Sequence, residues 1–426
     1  MRGVLRTVGL RLPRTSLPSL WSILWRRAFL RLRGLRFRER PAGQISPETL
    51  LRIDACASAT LGLGVSDPIH ALDFHARGLM LALRAGEPVR IARALAVDVG
   101  VLGAGGTRTW RRTNQVREMA LSLAARTGDD FAQYMATAQS GIARQFAGRW
   151  AEALEDCERA ESLGPEFRTR SSEDVYARLI ATLYCWYYTG DIPRIAERLP
   201  ELLKNVQERG DLVSDTGLRA RFLPVLLLAQ DNPEQARHEV RDAISRWTRQ
   251  AFYFQHYFSL VGETEGDLYV GAVEPAWERL TGAWRALGAG HIFLVQFLLL
   301  EALHLRARVA LALAASGHES PRLVRQALAD ARRMEREQAP WSDALALLVR
   351  AGVASLQGHR SSAVELLAQA ESALEAAQMS LYLAVAQCRR GELTGDRKLV
   401  EAANQFMHNH QIRNPARMAG MLAPGF

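Results

Sequence analysis

Lysine is almost missing from this chain of 426 residues: Lys204 and Lys398 are the only two among 54 basic side chains. Phosphoryl-transfer sites place a lysine on the β- and γ-phosphates, and neither residue stands in a glycine-rich loop. GxxxxGK[ST], HRD, DFG and GxGxxG are all absent, and Gly62-Leu63-Gly64 and Gly103-Ala104-Gly105-Gly106 lack the required spacing. A kinase or ATPase is excluded on these grounds. Cysteine is scarce too: Cys56, Cys157, Cys185 and Cys388 stand far apart without a CxxC, which fits reduced, structural thiols in a cytosol. No GxSxG, SxxK or HExxH occurs, and no carboxylate pair stands out from helix-surface charge. His70, Asp73 and His75 share one segment, but the histidines are five apart, and His408-Asn409-His410 lacks a third ligand. The expectation is a protein that is not an enzyme, with no catalytic residue, no metal and no cofactor.

Acidic residues are what the first forty positions lack. Residues 1–40 hold eleven arginines and one acid, Glu39, a net charge of +10. The remaining residues hold 43 basic and 44 acidic side chains, a net charge of −1. The body therefore has no charge excess with which to grip nucleic acid, and no nucleic-acid partner is expected. Runs of β-branched residues are few, whereas Leu, Ala, Arg and Glu, all good helix formers, dominate. The fold class is all-α.

Tyr134 to Pro165 shows how the helices are arranged. A first helical run ends at Gly148 and a second starts near Trp150, carrying Ala153, Cys157 and Ala160 on one face. Small residues there, with Gly141 opposite, let two helices approach closely, and Pro165 stops the second run. After later turns, Ile195, Ala236 and Ala276 take the place of Ala153 at steps of 42, 41 and 40 residues. Ala363 follows 87 residues on, with Ser320-Pro321 to Arg333 as a weak copy between. Helix pairs with small contact residues, a glycine turn and a terminal proline resemble tetratricopeptide repeats, which implies a right-handed α-solenoid of stacked antiparallel helix pairs. Thr137, Ser140 and Arg144 depart from the large apolar residues usual in that family.

In order, the chain reads as a basic arm (1–40), a tetratricopeptide-like solenoid (41–410) and a C-terminal tail (411–426). Leu17 to Trp25 is short, lacks an A-x-A site and runs into Arg26-Arg27, which argues against a signal peptide. From Trp21 to Arg40, Trp21, Leu24, Trp25, Phe29, Leu32 and Leu35 fall near one helix side, among Arg26, Arg27, Arg31, Arg33, Arg36 and Arg38. Two readings stand: an interfacial helix on an anionic membrane surface or acidic partner, or a cap packing its apolar side on the first repeat, which is favoured. Ser46-Pro47 and Asp67-Pro68 predict helix starts, and 100–108 a glycine-rich loop.

The run from Leu30 to Ala96 (LRLRGLRFRERPAGQ…RIARALA) and the ending NPARMAGMLAPGF look like the C-terminal helical-repeat region of large bacterial serine/threonine protein kinases. That resemblance implies a regulatory, partner-binding part without its kinase or ATPase modules. In the repeat family the first helices line a groove. Matching the turns gives Met135, Ile142, Phe146, Ile180, Tyr184, Tyr187, Tyr188, Phe258, Val261, Leu268 and Tyr269 as groove candidates, suited to a protein or peptide partner; the alternative is that several of them are core. The expectation is a cytoplasmic scaffold in a signalling assembly. The alternatives are a ligand-sensing module holding a small molecule in the groove, or a membrane-peripheral adaptor using residues 21–40.

Overall fold

The computed structural model describes residues 16–64, 67–163, 172–247, 253–317 and 320–426, with Gly9 and Leu12. Among them the regular structure is helical throughout, with no β-strand. The chain divides into two compact units: residues 1–104, 109–144 and 152–181 form one, and 105–108, 145–151 and 182–426 the other. No described helix is long and apolar enough to cross a membrane.

The smaller unit contains α1 (Ser16–Arg33), α2 (Pro47–Leu63), α3 (Pro68–Ala85), α4 (Pro88–Gly103), α5 (Trp110–Thr127), most of α6 (Asp130–Phe146) and of α7 (Trp150–Leu163), and the start of α8 (Ser172–Thr189). Side-chain caps set the early starts: Ser46 Oγ accepts from the Thr49 amide at 3.3 Å and an Asp67 carboxylate oxygen from the His70 amide at 3.3 Å, each followed by proline in the first turn. The segment read as a glycine-rich loop is mostly helix: α4 runs on to Gly103, because its apolar face, with Leu95 and Val99 fully buried, keeps contact with the core that far. Consecutive helices pack on one another, α2 on α3, α3 on α4 and α4 on α5.

Helix α1 packs against α3 in an unexpected orientation. Of the six apolar residues assigned to its packing side, Phe29 and Leu35 rest partly on the core, while Trp21, Leu24, Trp25 and Leu32 are exposed. The buried side is polar. Ser19 and Leu30 are buried, Ser22 Oγ donates to an Asp73 carboxylate oxygen at 2.5 Å, Arg26 Nε lies 3.6 Å from the same carboxylate, and Arg27 pairs with Asp98. The apolar-side cap is therefore corrected. Asp73 and Asp98 are almost fully buried on α3 and α4, and a buried carboxylate needs cations and donors more than α1 needs to hide its leucines.

The close approach of the repeat's helix pair is present. Ala153, Cys157 and Ala160 on α7 are each fully buried, and a Cβ placed on Gly141 of α6 would meet Cys157 Sγ at 2.6 Å. Pro165 lies outside the described residues. In the larger unit Ile195, Ala236, Ala276 and Ala363 are also fully or almost fully buried.

That larger unit continues from the end of α8 through α9 (Ile192–Glu208), α10 (Leu212–Arg221), α11 (Leu223–Ala229), α12 (Pro233–Ser245), α13 (Phe254–Val270), α14 (Val273–Ala289), α15 (Gln296–Ala315) and α16 (Ser320–Arg336). It closes with α17 (Pro340–Leu356), α18 (Arg360–Ala376), α19 (Ser380–Thr394), α20 (Arg397–Asn409) and α21 (Pro415–Leu422). From α12 on, each helix packs on the next, and α15 also reaches α17. The residues read as a tail build α21, which packs on α13 and α19. The Arg413 amide donates to the Ala229 carbonyl at 2.8 Å, Asn414 and Arg417 bind Asp231, and Gly352 is held so close to the Pro424 carbonyl that a Cβ would come within 2.7 Å of it.

The helix pairing gives a direct test. Ala153→Leu should destabilise by about 1–3 kcal/mol, because the added methylenes have no room where α6 and α7 touch. Gly141→Ala should also lower the melting temperature, whereas Glu155→Leu, on the exposed side of α7, should leave it nearly unchanged. Equal shifts at 153 and 155 in thermal denaturation would show that the pairing is wrong.

Candidate functional site

The eleven groove candidates are mostly core. Met135, Ile142, Ile180, Tyr184, Tyr187, Tyr188, Phe258, Val261, Leu268 and Tyr269 are all buried, and Phe146 is half-buried against Phe297, ring centroids 6.1 Å apart. They line no open groove, because aromatic and aliphatic side chains at these positions gain more from contact with neighbouring helices than from water. Tyr184, Tyr187 and Tyr188 are nevertheless brought together, around charges that sequence reasoning missed.

Arg221 ends α10 and is about 1% exposed, buried among residues of α8, α13 and α15. Its Nη2 lies 2.8 Å from Glu301 on α15, and its Nη1 lies 3.6 Å from Glu265 on α13. Arg308, one helical face along from Glu301, donates to Glu265 at 3.0 Å and to the Met421 carbonyl at 3.2 Å. Two cations and two carboxylates thus neutralise one another away from water. Phenols fill the remaining acceptor positions: Tyr257 and Tyr184 donate to Glu301 at 2.6 and 3.1 Å, and Tyr187 to Glu265 at 3.4 Å. The Arg221 guanidinium also lies over the rings of Tyr187 and Tyr184, 4.9 and 5.1 Å from their centroids. Burial, then the Glu301 charge, pushes Tyr184, Tyr188 and Tyr257 well above the ordinary phenol value, so they stay protonated donors. Burial alone would lower Arg221, but Glu301 and Glu265 with the neighbouring tyrosines together outweigh it, and the guanidinium stays charged.

Next to this network lies an aromatic cluster. Trp150 stacks on Tyr188 at 4.8 Å, Phe297 meets Tyr184 edge-on at 4.8 Å, and Trp341 lies 5.3 Å from Phe297. His304, between Glu301 and Arg308 on α15, is buried beside the Tyr382 ring, 5.8 Å away. Burial, reinforced by the Arg308 charge, holds it well below the usual imidazole range. A sequence signal for this network did exist. Helix α15 reads QFLLLEALHLRARVALALAA, apolar on all sides, and such a helix must be buried, so its Glu301, His304 and Arg308 must be buried with it.

Other sequence candidates serve structure. His70 pairs with Asp67 at 2.6 Å and His75 with Asp98 at 3.0 Å, and among the described residues no group of His, Cys, Asp and Glu is arranged to hold a metal ion. Burial alone would raise the Asp98 carboxyl, but Arg27 and His75 hold it down to about 2. Of the six arm arginines named from the sequence, Arg26 and Arg27 turn inward, and Arg31, Arg33, Arg36 and Arg38 are exposed. The four cysteines are buried.

Two recesses stand out among the described residues. In the larger unit a cleft of about 820 Å³ opens to solvent between α9 and α12, lined by Leu203, Lys204, Leu212, Asp215, Arg219 and Glu239 among others. Arg219 organises its polar wall, 2.6 Å from Glu239 and 2.7 Å from Asp242, and Gln207 donates to Asp215 at 3.0 Å. In the smaller unit a more enclosed cavity of about 240 Å³ is lined by Ile53, Cys56, Phe74 and Met135, with Arg90 and Arg93 at its edge tied to Asp54 and Asp129.

With the geometry in view, no family model, curated protein or solved structure matches the chain.

Two outcomes test the buried network. Glu301→Leu leaves Arg221 short of its closest carboxylate and should cost about 3–5 kcal/mol in chemical denaturation, whereas Arg221→Met with Glu301→Leu should cost much less than the two single losses together. The pH effect has a definite sign. His304 and His75 are lowered in the folded chain, so between their folded values and the ordinary 6.5 the unfolded chain binds more protons. Stability should therefore fall as pH drops below 6.5, by up to about 1.4 kcal/mol per unit for each histidine. His304→Leu should flatten that slope between pH 6.5 and 5.5, as read from melting temperatures.

Proposed function

We propose that the chain is a non-catalytic helical-repeat scaffold, its helix pairs stacked as a right-handed, tetratricopeptide-like solenoid, that binds a protein or peptide segment in a signalling assembly. The cleft between α9 and α12 carries this reading. Its volume of about 820 Å³ lies within the range of roughly 300–1,000 Å³ that ligand clefts occupy, and it is open, as a channel for an extended segment must be. Its lining mixes apolar anchors, Leu203 and Leu212, with acids held in fixed positions by Arg219, which suits a polypeptide's alternation of side chains and backbone amides. The resemblance to the regulatory region of bacterial serine/threonine kinases supports a place in signalling.

A small-molecule sensor is the second reading. The enclosed, largely apolar cavity beside Cys56 favours it, although about 240 Å³ is below the usual range for such sites.

Peptides selected from a displayed random library against the purified chain test the first reading. Binding of the selected peptides should weaken at least tenfold in the Leu203→Glu/Leu212→Glu variant, with an unchanged melting temperature. Equal binding by the variant would remove the cleft as the site. No nucleotide hydrolysis is expected from the purified protein, because neither lysine is placed to hold phosphates.

A further inference from the structure

Helix α1 turns the wrong way for a helix that only caps a fold. At 100° per residue, Ser19, Ser22, Arg26 and Leu30 share one face, and that face meets α3. Leu17, Trp21, Leu24 and Leu32 lie half a turn round on the opposite face, 68%, 74%, 62% and 89% exposed, with Trp25 beside them at 59%. Most of the large exposed apolar side chains of the described chain are gathered on this one helix. Among the described residues, no other helix displays a comparable stripe.

The polar face cannot swing round to hide it. Ser22 and Arg26 are bound to Asp73, and Arg27 to Asp98, and rotating α1 to bury Trp21 would take these donors from two buried carboxylates, leaving Asp73 with Arg77 and Asp98 with His75 alone. The apolar stripe is displayed by construction. What would cover it is indicated by its surroundings. Arg31 and Arg33 close the helix and Arg36, Arg38 and Arg40 follow, all exposed, while Glu39, the single acid of the first forty residues, is occupied by Arg126. Two tryptophans, three leucines and a dense row of arginines whose one interspersed acid, Glu39, is paired with Arg126 match the boundary of an anionic bilayer, where indole rings settle among headgroups and guanidinium groups meet phosphate. A soluble protein partner would be expected to meet a stripe rimmed by both signs of charge.

We infer that α1 is a fixed membrane-contact helix: it lies flat on an anionic lipid surface through Leu17, Trp21, Leu24, Trp25 and Leu32 while its polar face stays docked on α3. The inference is independent of the cleft and of what binds there. Because the helix is already presented, lipid contact requires no release from the body and no loss of the Asp73 and Asp98 pairs.

Vesicle flotation with the full chain tests it. Binding to vesicles of phosphatidylcholine with 30% phosphatidylserine should exceed binding to pure phosphatidylcholine at least tenfold and fall on raising salt. Trp21→Glu/Leu24→Glu should abolish flotation with little change in melting temperature, since both side chains face solvent. Equal binding to the two lipid compositions, or undiminished flotation of the double variant, would overturn the inference. So would an absence of flotation combined with a sedimentation-measured dimer that the same variant dissociates, because a second copy of the chain would then be the occupant.

Discussion

In the larger unit Arg221 and Arg308 lie in the core facing Glu301 and Glu265, with no water to replace a lost partner. Charges so placed tolerate only one arrangement. The end of α10 must stop where its guanidinium reaches α13 and α15 together, and α8 must present its tyrosines to the same carboxylates. Small contact residues such as Ala236 and Ala276 let helices approach at many heights, since sliding one past another changes apolar contact little. The ion pairs have no such freedom, and they fix the register. The C-terminal residues join the same scheme, because Arg308 spends a donor on the Met421 carbonyl and so ties α21 to the centre.

The same physics, on a smaller scale, orients the first helix. Asp73 and Asp98 are buried acids on α3 and α4, and α1 supplies the hydroxyl and guanidinium groups that satisfy them. Burial of Trp21 or Leu24 would gain a few kcal/mol of transfer free energy. Taking donors from two buried carboxylates, each left with a single partner, Arg77 or His75, costs as much or more, so the charged side wins and the apolar side faces outward. The arginine-rich arm is thus two populations: Arg26 and Arg27 hold the fold together, and the arginines from Arg31 on remain for an external surface.

For function, the arrangement separates the interior from what can meet a partner. The aromatic residues that sequence matching sent to a groove are spent on the core, where Tyr184 and Tyr188 support both the ion network and the Trp150–Trp341 cluster. What is left open is a mixed cleft beside Arg219 and an apolar, cationic helix face, two surfaces of different chemistry in different units.

The sequence by itself determined the helical class, the starts at Ser46 and Asp67, and the buried positions from Ala153 to Ala363. Each depends on neighbours within a few residues: a cap oxygen reaching the third amide, or small side chains recurring along one face. It also contained, unread, the sign that α15 is buried with its charges. Only the tertiary structure decided which partners those charges find, because Arg221 and Glu301 are eighty residues apart and Arg27 and Asp98 seventy-one. The same holds for the direction α1 faces. Its own sequence shows one apolar and one polar side, and which of them turns inward depends on two aspartates from other helices, whose need for partners exceeds what burial of the leucines and tryptophans would gain.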